Sequence, residues 1–133
     1  MARLAATCFC VAFVLFGCKS VSLQSPPTIL HPDMARDLVR QAIEYGSARA
    51  GWTTRYDEAS GAIEATYVVR VHTVVVRITN DSDSVDFRYV TSVNLGCVPE
   101  GDGCSRIHKS YNVWVGGLRD AIAHAMQLPL AEI

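Results

Sequence analysis

The chain has 133 residues, half of them hydrophobic and 19% charged, with twelve basic residues against thirteen acidic ones. That length supports one domain with a real core but not two. The near-neutral balance lacks the basic block or stripe that nucleic-acid binding requires, so a nucleic-acid partner is excluded as a reading.

The first predicted element is a signal. Met-Ala-Arg supplies one positive charge, and the chain then runs apolar from Leu4 to Gly17. A run of about 14 residues falls short of the roughly 20 that a bilayer-spanning helix needs. A short apolar run behind a basic start, ending in a small residue, is the pattern of a secretory signal. Leu15-Phe16-Gly17-Cys18 resembles the lipobox of bacterial lipoproteins: a branched apolar residue, a small residue, then cysteine. The resemblance implies a diacylglyceryl group on Cys18 and cleavage just before it. A mature chain of about 116 residues would then be held to the membrane by its lipid without spanning it, since two or more acyl chains anchor a protein stably. The competing reading is an ordinary secretory signal with an incidental cysteine. Lys19 stands where Asp would signal inner-membrane retention in familiar Gram-negative sorting. The expected location is therefore the cell envelope, with the outer membrane favoured.

Residues 18–33 are Ser- and Pro-rich without a period and read as the lipidated terminus and a flexible tether. A single domain is expected over 34–133. Asp33 is a candidate N-cap for a helix through "MARDLVRQAIEYGSARAG", with Leu38, Val39, Ala42, Ile43, Tyr45 and Gly46 as its apolar stripe. Gly51 is a C′ stop. Arg36, Arg40, Glu44 and Arg49 take the wet side.

From Trp52 the period changes to two. "WTTRY", "AIEATYVVR", "TVVVRIT" and "VDFRYVT" are joined by short turns and read as a four-stranded antiparallel meander. Ile63, Ala65, Tyr67, Val69, Val74, Val76, Ile78, Val85, Phe87 and Tyr89 fall on one face. The other carries Arg55, Glu64, Arg70, Arg77, Asp86 and Arg88, a split expected of a sheet covered on one side. Ile107, Tyr111, Trp114, Leu118, Ile122 and Ala125 then recur at helical spacing up to Pro129. Gly116-Gly117 inside this helix costs about 1 kcal/mol per glycine, which points to close approach of the helix to the sheet. The fold class is α+β, with two helices packed on one face of the meander.

"GAIEAT", "HTVVVRI", "SVNL" and "IHKSYNVWVGGL" together resemble an uncharacterised family of small bacterial lipoproteins, over about residues 34–122. The resemblance implies the lipoprotein character and the fold; it brings no activity. Cys97 and Cys104 depart from that family's pattern, in which a short Gly/Asp turn precedes the helix.

His108, Tyr111 and Asn112 are the natural place to look for chemistry. On a helix, 108 and 112 share a face, so His108 could act as a base and Asn112 could orient a ligand. The preferred alternative makes His108 a first-turn residue bonding a loop carbonyl, Asn112 a brace for the "SVNL" segment and Tyr111 core, because an imidazole base needs a partner to set it. Cys97 and Cys104 share one loop rich in Pro and Gly, and an oxidising compartment favours their disulfide over two free thiols. Cys-x6-Cys-x3-His is not a zinc spacing, and no metal or catalytic set is assigned. No phosphate loop, G-x-S-x-G or H-E-x-x-H occurs, and no cofactor is expected. Arg55, Arg70, Arg77 and Arg88 form either a solvated face of cross-strand ion pairs or a docking surface for an anionic envelope protein. The expected activity is binding or assembly support from a lipid anchor; the alternative is a small periplasmic enzyme using His108.

Overall fold

The computed structural model describes residues 19–129 and 133. The expected signal and Cys18 lie outside the described residues. The elements run β1 (Ser20–Ser22), β2 (Ile29–Leu30), α1 (Arg36–Arg49), β3 (Thr53–Tyr56), β4 (Ile63–Val69), β5 (His72–Asn80), β6 (Ser84–Val93), β7 (Val98–Glu100), β8 (Gly103–His108) and α2 (Ser110–Ala125). The fold is α+β with antiparallel pairing throughout.

The four-stranded meander is present as β3–β6, but it is part of something larger. β2 adds to the outer edge of β6, giving a five-stranded sheet ordered β2-β6-β5-β4-β3. A second sheet, β1-β8-β7, stands beside it. Two of the four unexpected strands come from the stretch that composition marks as a tether. β1 pairs Ser20 with His108, and β2 pairs Ile29 with Val85. Two or three residues per strand leave no period to detect.

The helix expected from residue 105 also changes. Residues 103–108 are strand, and α2 starts only at Ser110. Ile107 is buried in either conformation, so its spacing to Tyr111 did not distinguish them. At α1 the cap is Ala35 rather than Asp33, with no side-chain bond to the helix end. Gly51 does close the helix, at φ +84°, a conformation glycine adopts without a Cβ penalty.

Period two places the sheet's apolar face as expected. Ile63, Ala65, Val74, Val76, Ile78, Val85 and Phe87 join Val39 and Ile43 of α1 and Leu118 and Ile122 of α2 in one cluster. Both helices therefore cover the same face. They approach each other tightly at Gly46, where a Cβ would meet the Ile122 Cα at 2.7 Å and the Ala121 carbonyl oxygen at 2.8 Å. Gly116 and Gly117, expected to mark a close approach, have nothing within 4 Å of an added Cβ. Nothing in the structure explains those two glycines.

Cys97 and Cys104 are joined by a disulfide with a Cα–Cα distance of 5.4 Å. It lies across the β7–β8 hairpin, where Pro99 faces Cys104 and the register shifts between Val98 and Pro99.

Candidate functional site

The residues expected to carry chemistry at the start of α2 are engaged in holding the fold. His108 belongs to β8, so it does not share a helix face with Asn112. Its backbone N–H donates to the Leu95 carbonyl at 2.8 Å, and its Nδ1 accepts from the Ser110 N–H at 3.2 Å, serving the first turn of α2. Tyr111 is 1% exposed and packs edge-on against Tyr89, with ring centroids 5.6 Å apart. Burial pushes its phenol well above the usual value, and Tyr89 adds to the effect. Tyr111 is a core residue.

Asn112 uses both ends of its amide on the N-terminal segment. Its Nδ2 donates to the Ser22 carbonyl at 2.9 Å, and its Oδ1 accepts from the Gln24 N–H at 3.0 Å. Arg106 donates to the Ser20 carbonyl at 2.5 Å and Arg119 to the Pro27 carbonyl at 3.1 Å. The Thr28 hydroxyl bonds the Asp86 carboxylate. Residues 20–31 are thus a strap, fastened to β8, α2 and β6 in turn, with the His31 N–H reaching the Asp83 carbonyl at 2.7 Å.

The solvent face of the five-stranded sheet separates the four candidate arginines. Register places Arg55 opposite Glu64, Glu64 opposite Arg77, and Arg77 opposite Arg88. Arg55 closes an ion pair with Glu64 at 3.2 Å. Glu64 is thereby taken, and Arg77 and Arg88 face each other across β5 and β6. Neither has a carboxylate within ion-pair distance among the described residues. Like charges directly opposite on a sheet are destabilising. A shallow hollow beside this pair is bordered by Thr79, Asp86, Val90 and Asp102. Arg70 does not belong to the face. It occupies the two-residue turn between β4 and β5, at φ +55°.

One cleft has no counterpart in the sequence reading. About 270 Å³ in volume, it lies between the start of α1 and the β3–β4 turn, lined by Arg36, Asp37, Arg40, Tyr56, Asn80 and Asp81. The Arg40 guanidinium stands 4.7 Å over the Tyr56 ring, and Asn80 Nδ2 donates to the Arg36 carbonyl at 3.2 Å. Arg36 and Arg40, one turn apart, were expected on the wet side. Their place in the first turns of a helix, where the dipole disfavours cations, was the available signal. At the edge of this cleft Ser60 and the Ala59 N–H hold the Asp57 carboxyl below its usual range.

No protein-family model, no curated protein and no solved structure matches the chain. Among the described residues no helix is long and apolar enough to cross a membrane, and no group of His, Cys, Asp and Glu could hold a metal ion.

Proposed function

We propose that this chain is a lipid-anchored protein of the bacterial cell envelope, similar to the small lipoproteins its motifs resemble, and that it acts by binding an anionic protein partner. The lipobox-like Leu15-Phe16-Gly17-Cys18 supports the anchor, and Lys19 in place of Asp favours the outer membrane over the inner. The observation that carries the binding reading is the Arg77–Arg88 juxtaposition. Two exposed guanidiniums held opposite each other offer forked donors for carboxylates. Val68, Val75 and Val90 supply apolar contact on the same face.

Two experiments test this reading in parts. Cys18→Ser is expected to abolish fatty-acid labelling and to move the protein from the membrane to the soluble fraction; unchanged labelling would overturn the anchor. For the face, a photocrosslinking residue replaces Thr79 in cells. The native arginines are expected to give a discrete crosslinked species that Arg77→Gln with Arg88→Gln abolishes. Arg88→Glu is the sharper variant. It creates an opposite-charge pair with Arg77 and is expected to raise stability by roughly 0.2–1 kcal/mol, while losing the crosslink. A crosslink that survives all three substitutions removes the arginines from the binding surface.

A further inference from the structure

We propose that the pole of the domain beside residue 19 is a docking surface for an anionic phospholipid bilayer. The proposal deepens the envelope-lipoprotein reading and rests on it for the source of the bilayer.

The fold brings several remote segments to this pole. The Lys109 N–H donates to the Lys19 carbonyl at 3.0 Å, so the start of the described chain meets the start of α2. His108, one residue before, bonds Leu95 just beyond β6. Asn94, between them, donates from Nδ2 to the Val71 carbonyl at 2.8 Å, and its own carbonyl lies 2.8 Å from His72 Nδ1. The β4–β5 turn, Arg70-Val71, is thereby joined to the ends of β6, β8 and β1. The His72 and Trp114 rings, 6.1 Å apart, complete the connection to α2.

The side chains exposed there are of two kinds. Lys19, Arg70 and Lys109 are basic and exposed. Val71 and Val113 are 68% and 69% exposed, and Val93 at the end of β6 is half exposed. Acids are placed elsewhere. Asp57, Glu58, Asp81 and Asp83 occupy the turns at the opposite end of the meander, and Glu100 and Asp102 lie at the far tip of the β7–β8 hairpin. Lys19 and Lys109 are the only lysines among 133 residues, whereas ten arginines are spread over the chain. Long flexible ammonium stems suit a surface of mobile headgroups, where they can extend from apolar contact to the phosphates. Exposed valines between such charges fit the interface rather than bulk water. Residue 18, the expected site of the lipid, adjoins Lys19 directly, so an acyl anchor would hold this pole and no other at the membrane. An acidic protein would satisfy the charges but would leave the link to residue 18 without a role.

Both lysines sit at the pole, so an amine-reactive, membrane-impermeant acylating reagent reads it directly. The whole chain is purified from the cell, its mass recording whether Cys18 is acylated, and is mixed with vesicles of equimolar phosphatidylglycerol and phosphatidylcholine. Acylation of Lys19 and Lys109, followed peptide by peptide, is expected to slow at least about tenfold. The reaction of Arg77 and Arg88 with an arginine-selective dicarbonyl is expected to stay unchanged. Each basic residue multiplies binding to an anionic surface about fivefold, so Arg70→Gln is expected to raise the free concentration at half-protection by that factor. Vesicles of phosphatidylcholine alone are expected to protect far less. Chain that sediments with the anionic vesicles while both lysines react at the rate of free protein overturns the docking surface and leaves the anchor standing. Chain without acyl mass refutes the anchor, and lysine reactivity on the same vesicles still decides the surface. Protection of Arg77 and Arg88 together with the lysines overturns the assignment to this pole.

Discussion

Gly46→Ala is expected to destabilise the protein by about 2 kcal/mol, although alanine is the better helix former by roughly 1 kcal/mol. The added methyl would stand 2.7 Å from the Ile122 Cα and 2.8 Å from the Ala121 carbonyl oxygen, both backbone atoms of α2. A flexible side chain could turn aside; a helix backbone must translate. Overpacking of a well-filled contact costs typically 1–3 kcal/mol, and here the displaced helix also carries Leu118 and Ile122 of the core. Gly116→Ala and Gly117→Ala have the opposite sign. Neither methyl meets an atom within 4 Å, and neither glycine is at positive φ. Each is expected to add about 0.5–1 kcal/mol by restoring helix propensity. Urea midpoints at unchanged slope measure all three. A Gly46→Ala protein as stable as the parent would refute the close helix contact.

Loss of the disulfide is the second large effect. Cys97 and Cys104 are 7 apart in sequence, and chain-entropy accounting for so short a loop gives about 2–3 kcal/mol. Cys97→Ser with Cys104→Ser is expected to lower stability by that amount and to loosen the hairpin ahead of β8. Since β8 holds both β1 and the first turn of α2, faster amide exchange is expected through Ser20–Ser22 and Ser110–Asn112 as well. Exchange confined to residues 97–104 would show that the hairpin is not coupled to the strap. Mass spectrometry without reductant, finding no alkylatable thiol at either position, is the accompanying check.

The meander and its covered face were legible because one-sided burial forces alternation, and Ile63, Ala65, Val74, Val76 and Ile78 keep strict phase over long strands. The cysteine pairing was legible from loop chemistry and number. β8 was not. Ile107 lies four before Tyr111, an interval that fits a helix stripe, and the backbone bond that breaks it runs between His108 and Leu95, thirteen residues away. The strap was hidden for a related reason: strands of two or three residues take their conformation from partners far along the chain. Asn112 was recognised as a brace but assigned the wrong object, because "SVNL" was near in sequence and Ser22 and Gln24 were not. On the outer face, composition suggested balanced ion pairs. Only register shows that Glu64 is spent on Arg55 and that Arg77 meets Arg88.

The strap also sets an order of events. Ser20 finds its ladder partner in His108, 88 residues later, and Gln24 its acceptor in Asn112, equally far on. Contacts of such long range form late, after the loop between them has been closed by nearer pairings. The meander and α1 can assemble from local contacts while the first residues remain unfastened. As the chain is made or threaded from its amino end, Ser20–Gln24 stay unfastened until the beginning of α2 has arrived. Fastening of the strap is thereby made the closing step of the fold by topology alone.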